Sequence, residues 1–346
     1  MGTTGDVRAA HAATDIDVQS AVAAPELSVR SAVAAPELSA RSAIAAREHS
    51  VRGAVAEREH HLRSAVAARE HEVRGAIIIP AHDESAVIGR TLRALAPLGA
   101  MPGIEIVVAC NGCRDDTAAI ARGYPGVRVI ETERPSKTAA LNLGDSVATA
   151  WPRLYLDADI EIAPSAVLAV FAALGEPGVL AARAPFVYDT AGASLPVRAY
   201  YRARSRIPVA VRLWGAGGYA MNEAGHRRVG EFPDVTADDA WVDEQFAGGE
   251  KRIVAASAAR VRTPRDTAGL LAVLTRQRRG VTELGGSSEA ASRGTALLAG
   301  IRGPRSAADA AWYVLLTLIG RRRSARQSGR ASGWERDASS RVAAAT

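Results

Sequence analysis

From residue 75 onward the chain alternates short apolar runs with stretches of helical character, and this alternation limits the available folds more than any other feature. Strands are expected near 76–80, 104–109, 127–131 and 153–157, with helices near 85–96, 115–122, 137–150 and 164–174. The run Ala76-Ile77-Ile78-Ile79-Pro80 is apolar at every position. Such runs suit strands buried on both faces, as in a parallel sheet covered by helices. The expected fold class is therefore α/β, with a mostly parallel central sheet flanked by helices. Ligands of such sheets bind beyond the carboxyl ends of the strands, and His82, Asp83, Glu84, Asn111, Lys137, Asp157 and Asp159 fall at those ends or just past them.

The chemistry of those positions points one way. Leu156-Asp157-Ala158-Asp159 closes the fourth apolar run, and two acids at i and i+2 on an extended segment point to one side. Paired carboxylates can hold a hard divalent cation through oxygen. Such a pair is common by itself, but here a cationic loop, Pro135-Ser136-Lys137-Thr138, precedes it and feeds a helix. Together these features predict a site for a metal-bound, phosphate-bearing ligand.

Composition narrows the classes further. With 346 residues, 48% of them hydrophobic, the chain can build a substantial core. The formal charge of +6 is nearly all arginine, since Lys137 and Lys251 are the only lysines. The basic residues are spread out, which argues against a nucleic-acid groove. Their one dense group, Arg321, Arg322, Arg323, Arg326 and Arg330, suits a solvated tail or a contact with anionic lipid. The apolar run 310–320 is too short to cross a bilayer. The favoured reading of Trp312-Tyr313-Val314-Leu315-Leu316 is a final core helix; the alternative is a peripheral membrane contact at the inner face of the cell membrane. Only Cys110 and Cys113 occur, so no disulfide framework is expected. No second ligand pair accompanies them for zinc, and Asn111-Gly112 forms a turn between them, so they read as loop residues. Residues 1–24 lack a secretory pattern, and a cytoplasmic location is expected.

Residues 18–72 repeat with a period of eleven, seen in Val29-Arg30-Ser31-Ala32, Val51-Arg52-Gly53-Ala54 and Leu62-Arg63-Ser64-Ala65. That period approximates three helical turns, so Val51, Val55, Leu62 and Val66 would form one thin stripe. Pro25 and Pro36 should break helix in the first copies. A tandem expansion, helical or disordered, is favoured over a coiled-coil stalk. Histidines eleven residues apart in the Glu-His pairs cannot share an ion on one helix. The expected organisation is a repeat segment over 1–73, one catalytic-type domain over 74–300, and a C-terminal helix with a basic disordered tail over 301–346.

The motifs in sequence order carry a resemblance. Pro80-Ala81-His82-Asp83-Glu84, Asn111-Gly112-Cys113-Arg114-Asp115-Asp116, Lys137-x-x-Ala140-Leu141-Asn142, Asp157-Ala158-Asp159, Gly217-Gly218-Tyr219-Ala220 and Ala237-Asp238-Asp239 resemble family 2 glycosyltransferases of GT-A fold over about residues 75–285. The resemblance implies that Pro80, His82, Glu84 and Asn111 lie on the nucleotide side, with Asn111 where the family usually has Asp. It implies that Asp159 ligates Mn2+ or Mg2+ directly, that Asp157 reaches the metal or the ribose, and that Lys137, with Arg134, offsets diphosphate charge. Asp239 would be the general base toward an acceptor hydroxyl, with Asp238 and Asp243 as orienting or capping groups of a helix over 240–246. Residues 186–235 would form most of the acceptor side. Arg276-Gln277-Arg278-Arg279-Gly280 departs from the Gln-x-x-Arg-Trp stretch of processive members, leaving Arg279 either as a diphosphate contact or as part of a solvated basic turn, and implying transfer of a single sugar. The implied activity is inverting, metal-dependent transfer from a nucleotide-diphosphate sugar to a hydroxyl of a glycan, lipid or small molecule. Two alternatives stand beside it: a non-catalytic sugar-nucleotide scaffold, and a nucleotidyltransferase, which the lack of a Gly-rich loop after the first strand disfavours.

Overall fold

The computed structural model describes residues 73–208, 211–285 and 290–327. The eleven-residue repeats and the tail from 328 lie outside them.

The first half follows the expected order: β1 (Gly75–Ala81), α1 (Ile88–Gly99), β2 (Ile104–Asn111), α2 (Thr117–Arg122), β3 (Val127–Thr132), α3 (Lys137–Val147), β4 (Arg153–Leu156) and α4 (Pro164–Ala173). The second half has shorter strands: β5 (Ala181–Arg183), β6 (Phe186–Asp189), α5 (Leu195–Arg206), β7 (Gly218–Met221), α6 (Glu223–Val229), α7 (Asp238–Glu244), β8 (Lys251–Ile253) and β9 (Ala259–Arg262). Three helices close the described chain: α8 (Thr267–Glu283), α9 (Ala290–Ala299) and α10 (Pro304–Gln327).

Seven strands form one sheet in the order β3-β2-β1-β4-β7-β5-β8, and β6 pairs with β9 in a separate ribbon. The β1, β2, β3 and β4 pairings are parallel, while β7 runs antiparallel between β4 and β5. The expected mixed α/β class with a mostly parallel sheet is the one observed. Winding proceeds outward from β1 through β2 to β3, then returns to place β4 on the other side of β1. That reversal opens a crevice between the carboxyl ends of β1 and β4, where ligands of such sheets sit.

Strand alternation explains the two cores. Ile77 and Ile79 face α1, α2 and α4 in one cluster, whereas Ile78 faces Leu141 of α3 and Tyr155 in another. A third cluster joins α5, α8 and α10 through Val197, Tyr200, Leu270, Tyr313 and Leu316. Tyr200 stacks on Tyr313 with ring centroids 4.9 Å apart. Asp309, only 1% exposed, pairs with Arg202 at 2.6 Å and Arg206 at 2.9 Å. One face of α10 thus packs as a core helix. No helix among the described residues is long and apolar enough to cross a membrane.

Candidate active site

The crevice is built around a proline that a central strand would ordinarily reject. β4 pairs with β1 only at Ala76, Ile77 and Ile78. Pro80 therefore sits where β1 has no strand neighbour on that side among the described residues, and its missing N–H leaves no ladder bond unmade. It lines an open cleft together with Lys137, Asp157, Tyr219, Asp238 and Asp239.

Lys137 is the hub of this cleft. Its ammonium lies 2.8 Å from Asp157 and 2.9 Å from Asp238. A lysine in the first turn of a helix opposes the helix dipole, even though Ser136 caps α3 by accepting from the Ala139 N–H. The acids compensate. Burial works against the charge of Lys137, but Asp157, Asp238 and Asp239 raise its pKa well above the usual lysine value. Asp238 also accepts from the Tyr219 hydroxyl at 3.0 Å. Asp239 accepts from the Gly215 N–H at 2.9 Å and from the Ala240 N–H at 2.8 Å. Burial, and then the neighbouring charge of Asp238, push Asp239 up to about 6 against the opposing pull of Lys137. A carboxyl group held there can take a proton near neutral pH.

Two sequence expectations change here. The helix expected over 240–246 begins at Asp238, so Asp238 and Asp239 occupy its first turn, where acids suit the dipole. Asp238 pairs with Lys137 instead of capping, and Asp243 accepts from Leu213 N–H and Lys251. The acid pair, moreover, is not extended. β4 stops at Leu156, and Ile160 N–H bonds back to the Asp157 carbonyl at 3.2 Å, closing a turn. The same-side argument for Asp157 and Asp159 therefore does not apply. Asp157 reaches into the cleft to Lys137, while Asp159, absent from the cleft lining among the described residues, offers its carbonyl to Arg90 at 3.4 Å. Gly217 makes the turn possible. Its carbonyl accepts from Asp157 N–H at 2.8 Å, its φ is +68°, and a Cβ there would lie 2.4 Å from Ile160.

The donor set suits a hard cation. Three carboxylates, Asp157, Asp238 and Asp239, gather around one ammonium, and a surplus of negative charge favours a divalent ion. Asp157 is the member of the acid pair that this cleft presents to such an ion; Asp159 is not on the lining among the described residues.

Beside the cleft, two loops are laced together. His82 donates from its ring Nδ1 to the Asn111 carbonyl. Glu84 is buried, and its N–H donates to Thr117 Oγ1 at 2.7 Å. Asp83 accepts from Arg114 N–H at 2.6 Å, and Asp115 accepts from Ser85 N–H at 3.0 Å. Asp83, Cys113 and Asp115 bring ligand atoms within 4.8 Å of one another, but both acids are engaged in joining the loops. Cys110 and Cys113 are free thiols. Their mutual hydrogen bond raises the pKa of Cys110 and lowers that of Cys113 to about 7. Asn111 is fully buried, and neither atom of its amide has a partner among the described residues. Buried amides are seldom left so without a ligand or water to satisfy them. The register of β1 and β2 puts Asn111 on the sheet face shared by Ala109 and Pro80.

Arg279 belongs to α8, next to Gly280, where the helix crosses so close to Ala237 that a Cβ would sit 2.6 Å from the Ala237 Cβ. Glu283 secures the crossing by accepting from Thr236 N–H at 3.1 Å and Thr236 Oγ1 at 2.9 Å. Arg279 thus rides on the element that braces the Asp238-Asp239 turn. Arg134 pairs with exposed Asp234 at 3.2 Å. Of the 186–235 segment, Gly217, Gly218 and Tyr219 line the cleft. Sequence reasoning assigned no role to the Tyr219 hydroxyl, the Gly215 N–H or Arg90. A tyrosine inside the Gly217-Gly218-Tyr219 motif was the one available signal; a backbone amide leaves none.

Residues 76–217 match the sequence model of the family described as Glycosyl transferase family 2. No curated protein matches the chain. Among solved structures, the mannosyltransferase PcManGT from Pyrobaculum calidifontis, in complex with GDP-Man and Mn2+, is similar at 19% identity over 75% of this chain and 76% of that one, with a TM-score of 0.48. Glucosyl-3-phosphoglycerate synthase from Mycobacterium tuberculosis, in complex with Mn2+, uridine-diphosphate and glucosyl-3-phosphoglycerate, is similar at 18% identity over 64% of this chain and 84% of that one, with a TM-score of 0.46.

Proposed function

We propose that this chain, whose residues 76–217 match the family 2 glycosyltransferase model, transfers a single sugar, with inversion, from a nucleotide-diphosphate sugar to an acceptor hydroxyl. The observation that carries the reading is Asp239, a carboxyl group raised to about 6 on the wall of a cleft whose other acids surround Lys137. Asp239 takes the proton of the acceptor hydroxyl as that oxygen attacks the anomeric carbon from the face opposite the diphosphate. Attack from that side inverts the centre. The Gly215 N–H and the first turn of α7 fix the carboxylate in orientation. Lys137 and Arg279 offset charge on the departing diphosphate, and Asn111 and Glu84 hold the base. A divalent cation, Mn2+ or Mg2+, would be held by Asp157 on the cleft wall and by Asp159 once the turn after β4 reorients it, and would supply further charge neutralisation at the diphosphate.

A thermal-shift screen of nucleoside diphosphates with and without Mn2+ or Mg2+ tests the donor half. One nucleotide should stabilise the protein only when metal is present, and Asp159→Ala should abolish that shift. Asp239→Asn should keep the shift but lose transfer by about 10²–10⁴-fold. Stabilisation that needs no metal, or an Asp239→Asn enzyme with full transfer, rejects the assignment.

A further inference from the structure

We infer that the outer face of α10 docks on an anionic lipid surface. Among the described residues the helix is covered on one side only. Tyr313 and Leu316 pack inward, whereas Trp312, Val314, Leu315 and Leu318 stand 39%, 44%, 47% and 47% exposed. At about 100° per residue these four side chains sweep an arc of roughly 160°. Leu298 and Ile301, just before the helix, are exposed as well. Between Arg305 and Arg321 the sole charged residue is Asp309, and it is turned inward onto Arg202 and Arg206. The solvent side of three consecutive turns therefore carries no charge, which a purely water-facing helix does not need and a docking face does.

Charge identifies the occupant. Residues 290–327 contain seven arginines and that single, internally neutralised acid. Arg322 and Arg326 are exposed and project within roughly 20° of Leu315 around the helix, so the apolar stripe runs directly into a basic end. Arg302 and Arg305 stand exposed before its other end. A second copy of this helix, laid parallel or antiparallel, would bring arginine against arginine. A phosphate-bearing lipid surface instead meets both ends with opposite charge while the stripe enters the acyl boundary, with Trp312 at the depth an indole prefers. The helix is not apolar enough to cross, so it lies in the plane of the surface. This inference goes beyond the catalytic reading and does not depend on it.

Co-sedimentation of the full chain with phosphatidylglycerol-containing vesicles, and with pure phosphatidylcholine vesicles, decides the matter. Binding should be strong to the former, at least about tenfold weaker to the latter, and weakened by salt. Leu315→Asp with Leu318→Asp should abolish it. Arg322→Gln with Arg323→Gln should reduce it about tenfold and flatten the salt dependence. All four positions are exposed or nearly so, and circular dichroism verifies folding; if the aspartate pair does not fold, the arginine pair carries the test. No binding to anionic vesicles, or binding that neither variant alters, overturns the inference. So does a wild-type dimer in light scattering that the aspartate pair turns into monomer.

Discussion

Replacing Lys137 with methionine removes one charge and keeps a side chain of similar length, which isolates the ammonium at the centre of the cleft. Asp238 would lose its partner at 2.9 Å while its side chain stays 3% exposed. The Tyr219 hydroxyl would be its remaining donor. Deleting one member of a buried ion pair costs about 3–5 kcal/mol, because the other charge stays desolvated. The Asp157 half contributes little, since that side chain is 40% exposed and exposed pairs are worth about 0–1 kcal/mol. The expected loss is about 3–4 kcal/mol at pH 8, read as a lower urea midpoint with an unchanged slope.

The pH dependence gives the prediction its sign. Asp239 has its folded pKa raised from 3.8 to about 6, so between those values the native state holds more protons than the unfolded chain. Stability contributed by this group is present at low pH and lost as pH rises through the folded value. Lys137 lowers Asp239, so removing it extends that window upward. The deficit of Lys137→Met should therefore be smaller at pH 6 than at pH 8. A deficit below about 1 kcal/mol at pH 8, or one that grows on acidification, refutes the account of a carboxylate cluster held together by one ammonium.

Other consequences follow from the same geometry. In the wild type, kcat/KM for transfer should rise with pH through a single deprotonation near 6, as Asp239 becomes a competent base; a flat profile across that region contradicts its role. Gly217→Ala should lower stability by about 1–3 kcal/mol, because its Cβ meets Ile160 at 2.4 Å and its φ is +68°. It should also weaken nucleotide binding through the displaced Asp157 turn, and a thermal midpoint equal to wild type would show that the turn tolerates the methyl group.

Sequence alone determined the strands β1 to β4, the intervening helices and the placement of the polar residues at the strand ends. Those features are local: an unbroken run such as Ile77-Ile78-Ile79 has few ways to hide both faces, and β1 extends only one residue beyond each expected end. It also singled out Lys137, Asp157 and Asp239, which the fold brings to one cleft. Tertiary structure decided what those side chains do. The turn that splits Asp157 from Asp159 depends on a carbonyl from Gly217, and the pairing of Lys137 with Asp238 depends on β7 and α7 closing over α3 from far along the chain. The start of α7 at Asp238, the insertion of antiparallel β7 and the inward turn of Asp309 were likewise invisible to periodicity. Each is settled by burial of charge between segments distant in sequence, and desolvation acts on whatever packing brings together, regardless of how far apart the residues lie along the backbone.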